Sequence, residues 1–99
     1  MPSGQDSQTI SEEDGVAIFT LSDGPHSFTF YSGTWGSLTL EMKISSQWVP
    51  VTEKIDGVDT AVVIEANRTA VLEGNCQYRM TATEWAANIV IEMARNVAP

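Results

Sequence analysis

The chain has 99 residues, of which 42% are hydrophobic, and 13 Asp and Glu against five Lys and Arg give it a net charge of −8. A chain of this length fits one domain, and its scattered basic residues offer no basic face to DNA, RNA or anionic lipid. The single cysteine excludes an intramolecular disulfide, and no apolar run reaches the roughly 18 residues of a transmembrane helix. The acidic balance instead suits either solubility or contact with a basic protein surface.

Residues 1–14 are polar and acidic, and they contain neither the basic nor the apolar region of a signal peptide. Such a segment cannot bury enough surface to offset its ordering entropy. We therefore expect an extended polar N-terminal arm at residues 1–14, beside a single domain at residues 15–99. Either the domain surface or a neighbouring chain should hold this arm in place, and we expect the neighbouring chain. The missing signal regions predict a protein made without secretion.

Short strand-like runs follow the arm. Residues 16–21 and 26–32 are separated by the turn cluster "SDGP", and the second run places Phe28 and Phe30 on one face. Residues 36–44, "GSLTLEMKI", alternate most regularly, which predicts a strand with one buried and one solvated face. The residues predicted to face the core are Leu38, Leu40, Met42 and Ile44.

The next run, "QWVPV" at residues 47–51, is joined to residues 36–44 by Ser45 and Ser46, which predict a tight hairpin turn. Pro50 cannot donate a ladder hydrogen bond, so it marks an edge strand or a bulge. Beyond it, "EKIDGVD" is predicted to be a polar loop and "TAVVIEA" at residues 60–66 a strand. Residues 69–74 fit either a strand or a short turn.

Two further segments complete the predicted strands. Residues 76–82, "CQYRMTA", would bury Cys76, Tyr78 and Met80. Residues 83–96 also fit a helix capped by Thr83. The succession of β-branched residues in "NIVIEMA" at 88–94 favours the strand.

Seven to eight short strands without a long amphipathic helix predict an all-β fold. Since parallel strands need helical crossovers for which the chain has no room, the sheets should be antiparallel. We expect a β-sandwich or small barrel, Ig-like or jelly-roll-like, with the extended N-terminal arm.

The sequence predicts no catalytic, metal-binding or cofactor-binding residues. Asp56 and Asp59 lack the spaced oxygen ligands of a calcium loop and are interpreted as a solvated turn. His26 and Cys76 are the only candidate base and thiol nucleophile, and no nucleophile elbow accompanies them. A protein that is not an enzyme is therefore expected.

The tryptophans are the remaining candidates for function, because Trp fills cores and protein interfaces and also stacks on sugars. At least one of the three should be internal. The predicted interface residues are Trp35, Trp48, Pro50 and Trp85.

The order of these segments resembles a group of small virion proteins of tailed bacteriophages. In that group a first strand leads to a Gly-rich turn, here "SGTWG", and then to a strand like "LTLE" and a Trp-Val strand like Trp48-Val49. A late "G-x-x-Y-R"-like segment, here Gly74 to Arg79, leads into a closing strand, and the likeness covers residues 26–95. The resemblance implies a structural β-sandwich of the virion, on the capsid exterior or near the head–tail junction, with no catalytic residues.

We expect first a capsid decoration or cement protein, made in the host cytoplasm and located in the virion. Its partners would be other virion proteins, foremost the major capsid protein, and further copies of itself, without nucleic acid or membrane. A head–tail junction or tail structural protein is the alternative within the virion. A carbohydrate-binding β-sandwich module is the alternative of another class, and it would need exposed aromatic side chains aligned on one face.

Overall fold

The computed structural model describes residues 5–96, which form β-strands joined by turns and loops. The strands are β1 (Gln5–Ile10), β2 (Val16–Thr20), β3 (His26–Ser32), β4 (Ser37–Ile44), β5 (Gln47–Pro50), β6 (Thr52–Ile55), β7 (Val58–Ala61), β8 (Val63–Ile64), β9 (Arg68–Leu72), β10 (Gln77–Glu84) and β11 (Ile89–Arg95). The fold is all-β, as the sequence predicts.

The strands form two main antiparallel sheets and one separate hairpin. The first sheet has the order β1-β11-β3-β9, and the second has the order β2-β10-β4-β5. The short strand β8 pairs with the first half of β4, next to the part of β4 that pairs with β5. Strands β6 and β7 pair only with each other among the described residues.

The two sheets pack face to face through alternating apolar side chains, as in a β-sandwich. Phe19 of the second sheet meets Phe28 of the first edge-to-face at 5.2 Å between ring centroids. Phe28 also stacks on Phe30 and contacts the Tyr78 ring. The fully buried Leu38 and other aliphatic side chains of β4, β10 and β11 complete the core. The period of two in the sequence therefore places one face of each main strand in this core.

The two long sides of the sandwich differ. On the closed side, strands β1 and β2 lie together, and the Gln8 side-chain amide donates a 2.7 Å hydrogen bond to the carbonyl of Ile18. On the open side, β9 and β5 each end a sheet, and the outer edge of each pairs with no other strand of the described part of the chain. The position of Pro50 at the end of β5 confirms the predicted edge strand.

The 11 strands within residues 5–96 correct the prediction of seven to eight. Part of the predicted arm is a strand, because residues 5–10 pair with β11 and Ile10 is buried in the core. Residues 5–10 of the expected arm are therefore an edge strand of the domain, and residues 1–4 lie outside the described part. The predicted loop "EKIDGVD" is the β6–β7 hairpin, and the predicted strand at 60–66 is divided between β7 and β8.

Two segments for which the sequence allows alternatives, residues 69–74 and 83–96, contain strands in the structure. Residues 89–95 form β11 and not a helix, and residues 68–72 form β9. The predicted hairpin at Ser45 and Ser46 is confirmed, and both residues adopt the positive φ angles, 50° and 68°, of a tight hairpin turn. Ile44 is an exception to the predicted core, since 49% of its surface is exposed at the end of β4.

Candidate interaction surfaces

Two of the predicted interface residues, Trp35 and Trp85, lie together at one end of the sandwich. The Trp35 indole donates a 2.7 Å hydrogen bond to the Asn67 side chain. The Trp85 indole donates one of 3.3 Å to the carbonyl of Ile10. Both rings are partly buried against the core. Their apolar surfaces and polar N–H groups are thus used to close this end of the domain.

Close backbone contact joins the two loops that carry these rings. Gly36 lies so near the loop after β10 that an added Cβ would overlap the carbonyl of Glu84. Only glycine fits at this position without a backbone shift. The sequence "TWG" therefore combines a core-capping ring with the residue that allows the loops to meet.

The third ring, Trp48, lies elsewhere, on the outer face of the second sheet. The Arg79 guanidinium lies over its ring at 4.7 Å from the centroid, and the Lys43 ammonium at 5.8 Å. The Arg79 Nε and Nη2 groups donate to the same oxygen of Glu41, at 2.9 and 2.6 Å. Cation–π contacts at exposed sites contribute roughly 0.5–1 kcal/mol each. We call Trp48, Arg79, Lys43 and Glu41 the Trp48 cluster.

A concave surface of about 540 Å³, the sheet groove, lies beside this cluster. Thr39, Thr81 and Thr83 form its floor on neighbouring strands, and Val16 of β2 lines it as well. Pro50, with the chain at residues 61–62, forms the opposite wall. The wall residues Pro50, Ala61 and Val62 lie where the chain leaves β5 and returns as β8, which both pair with β4.

The rim of the groove on β2 is apolar. Val16 and Ile18 alternate with the buried Ala17 and Phe19, so they point outward, and they are 50% and 46% exposed. Ile18 is paired with Arg79 in the ladder between β2 and β10. The apolar rim and the Trp48 cluster are therefore parts of one continuous outer face.

The β6–β7 hairpin, residues 52–61, forms the most exposed element, and we call it the hairpin arm. Asp56 and Gly57 form its turn with φ angles of 51° and 80°, the combination that favours Asp-Gly in two-residue hairpins. Ile55 and Val58 are directly paired and therefore on one face, where they are 50% and 64% exposed. The arm thus presents an apolar pair next to an acidic turn.

The open side of the sandwich contains a cavity of about 210 Å³ between β9 and β6. Core residues such as Leu40 form its base, and the Arg68–Glu53 ion pair, at 3.6 Å, crosses it. Val71 lies at its rim on the unpaired strand β9 and is 62% exposed. Ile44 and Val49, on the uncovered end of the second sheet, add exposed apolar surface.

The candidate base His26 and the candidate nucleophile Cys76 each contact a different backbone carbonyl. His26 is fully buried, its Nδ1 is 2.9 Å from the carbonyl of Gly24, and its Nε2 has no hydrogen-bond partner among the described residues. The thiol of Cys76 instead donates to the carbonyl of Glu73 at 3.6 Å. Cys76 lies just before β10 and is only partly buried, which corrects its predicted place inside a strand.

The Tyr78 phenol also donates to the Glu73 carbonyl, at 2.9 Å. Burial raises the pKa of this phenol well above its ordinary value of about 10, and the neighbouring Cys76 thiol acts in the same direction. The Tyr78 side chain therefore has a structural role, because its hydrogen bond to Glu73 holds the β9–β10 loop against the core.

Within residues 5–96, no group of three or more His, Cys, Asp or Glu side chains is placed to hold a metal ion. The same part of the chain contains no helix of the length and apolarity needed to cross a bilayer. No protein-family model, curated protein or solved structure matches this chain.

The structure thus separates the predicted interface residues into two groups. Trp35 and Trp85 close one end of the sandwich, whereas Pro50 lines the groove and Trp48 lies beside it, under the Arg79 guanidinium. Sequence reasoning missed the hairpin arm and the groove. The signal for the arm was the Asp56-Gly57 pair between Ile55 and Val58, a hairpin signature that was interpreted as a polar loop. The groove had no sequence signal, because it depends on where the chain crosses the edge of the sheet.

Proposed function

We propose that this protein is a non-enzymatic structural protein of a tailed-bacteriophage virion, which docks on the capsid lattice as a decoration protein. The observation that carries the docking proposal is the open side of the sandwich. There, β9 keeps an unpaired edge with the exposed Val71, and the uncovered end of β4 and β5 exposes Ile44 and Val49. The virion setting rests on the resemblance of residues 26–95 to small virion proteins.

An open strand edge supports docking on another protein because its free N–H and C=O groups can pair with an added strand. Natural edge strands are usually protected by charge, Pro or a covering element. Strand β9 has only Arg68 as such a charge, at its first residue, and that side chain is engaged with Glu53. The apolar side chains around it add contact area that excludes water.

On a lattice, the affinity of each individual contact can be low. Many copies held on one surface gain avidity without a large individual interface. A domain of this size that offers one edge strand and a few apolar side chains therefore suits repeated, symmetry-related sites. A basic or neutral lattice surface is expected, since the net charge of the chain is −8.

The carbohydrate-binding alternative requires aromatic rings aligned on one face. Trp35 and Trp85 instead form hydrogen bonds at one end of the sandwich, and cations lie over the ring of Trp48. This arrangement favours a protein partner over a glycan.

The test is to add purified protein to phage particles that lack it, and separately to a glycan array. We expect saturable binding to particles at a copy number that matches lattice symmetry, and abolished binding for Val71→Glu. The matched control is Val58→Glu, which places the same charge at a site of similar exposure on the hairpin arm and should still bind. Specific glycan binding without particle binding would refute the proposal, as would equal loss in both variants.

A further inference from the structure

We infer that the hairpin arm of one copy inserts its tip into the sheet groove of a second copy. This contact joins copies of the protein to each other, and it goes beyond the proposed docking on a lattice, which uses the open side. The two halves of the contact lie on different parts of the same chain. Each half carries apolar side chains that the monomer leaves exposed.

The arm cannot reach the groove of its own molecule. Residues 61–62, at its base, form a wall of that groove, and Glu53 near its start pairs with Arg68 of β9 on the open side. Neither of its strands pairs with any other described strand. Four residues of extended strand place the tip about 13 Å from the base. A tip that leads away from its own groove needs another molecule to bury its apolar pair.

Both halves of the contact present exposed aliphatic side chains. The tip presents Ile55 and Val58 side by side, and the groove presents Val16 on its rim with Ile18 next to it. A volume of about 540 Å³ is ample for two aliphatic side chains and the turn between the strands. Burying these residues against each other removes exposed apolar surface from water on both copies.

The charges of the two halves are also complementary. The tip carries Asp56 at its turn, while Lys54 and Asp59 are paired with each other at 2.8 Å. Glu41 and Arg79 of the Trp48 cluster line the groove and pair with each other, and Lys43 of the cluster, over the Trp48 ring, adds one further positive charge next to the groove. Arg79 uses Nε and Nη2 for Glu41, which leaves Nη1 for an acceptor such as the Asp56 carboxylate.

A contact of this kind joins different surfaces of the two partners. Each copy donates one arm and accepts one, so the association is heterologous and closes into a ring or continues as a chain. An isologous dimer would instead use the same surface on both copies. Mixing an arm-defective variant with a groove-defective variant distinguishes the two cases. Only a heterologous contact is restored in such a mixture, because each variant still supplies the half that the other lacks.

The experiment measures molar mass by sedimentation equilibrium over a series of protein concentrations. The arm variant is Val58→Glu and the groove variant is Val16→Glu; both positions are at least half exposed, so each variant should fold. The matched control is Val71→Glu, at 62% exposure on the open side. Circular dichroism and thermal melting confirm that all variants are folded.

We expect the unaltered protein and Val71→Glu to gain mass with concentration. Each of the other two variants should associate roughly tenfold or more weakly, as expected for a charge placed in a central contact. Mixed together, they should form a one-to-one dimer and nothing larger, because one intact arm then meets one intact groove. Asp56→Asn, which also tolerates the positive φ of the turn, should associate with less dependence on salt.

Three results would overturn the inference. The first is an unaltered protein that remains monomeric at every concentration. The second is a mixture of the two defective variants that stays monomeric. The third is an equal loss of association in Val71→Glu. None of these results depends on binding to particles, so failure here and failure of the proposed function remain distinguishable.

Discussion

The N-terminal strand offers the sharpest test of the fold, through the substitution Ile10→Ala. Ile10 is 3% exposed and is the residue of β1 that enters the core. The substitution removes three carbon atoms, which at about 0.8 kcal/mol per buried methylene costs about 2.4 kcal/mol before any cavity forms. The residual cavity raises the expected loss of unfolding free energy to about 2.5–4 kcal/mol.

This loss is large for a domain of this length, whose total stability is of the order of 5–15 kcal/mol. Urea denaturation monitored by tryptophan fluorescence should show a lower midpoint with an unchanged slope. The control is Thr9→Ala, an exposed neighbour on the same strand, which should change the midpoint little. If the two variants are equally stable, β1 is not part of the cooperative core and the segment is an arm held by another chain.

Three further outcomes are expected. Leu40→Ala should lower the unfolding free energy by about 2–5 kcal/mol, whereas Thr39→Ala on the outer face of β4 should cost little; equal effects in denaturation would contradict the register. Gly36→Ala should cost about 1–3 kcal/mol or more, because its Cβ would overlap neighbouring backbone, whereas Gly33→Ala has nothing within 4 Å and should melt like the unaltered protein. The raised pKa of Tyr78 means that above pH of about 10 the unfolded chain releases a phenol proton that the fold retains, so stability falls as pH rises. Tyr78→Phe should reduce that fall in alkaline melting curves, and an unchanged slope would refute the assignment.

Local alternation was sufficient to predict the strands at the centre of the two sheets. Strand β4 alternates over most of its length, and Leu38 and Leu40 are buried as that pattern predicts. In β11, Ile89 and Ile91 face the core, which decides between strand and helix. In both cases the side-chain period, a property of the strand itself, carries the information.

The pattern fails where burial depends on a distant part of the chain. Ile44 continues the alternation of β4, but the strand extends beyond the cover of the first sheet, so its side chain is exposed. Ile10 shows the opposite case, because a polar segment becomes an edge strand by pairing with β11, which follows almost eighty residues later. Neither the length of a covering sheet nor such a long-range pairing can be read from neighbouring residues.

The candidate surfaces were predictable to a smaller extent. The prediction that Pro50 marks an edge strand is confirmed, because β5 ends the second sheet and Pro lacks the donor that a central strand needs. The interface roles of Trp48 and Pro50 stay predictions. The stacking of Arg79 on Trp48 could not be predicted, because the two residues are brought together only by the pairing of β4 with both β10 and β5.

The way in which β4 is paired has a consequence for how this protein can vary. One edge of β4 is shared by β5 and β8, and the chain between them bonds back at both ends: Val51 donates to the Leu40 carbonyl and Val62 to that of Val51. Residues 52–61, the hairpin arm, are therefore an insertion between β5 and β8, which together form one interrupted edge strand. Backbone hydrogen bonds fix the chain at both ends of this insertion. Because the core does not depend on the length of that insertion, it can be lengthened, shortened or exchanged while the sandwich is kept. In the proposed contact between copies, the length of the hairpin arm and the residues at its tip can therefore change without a change in the sandwich.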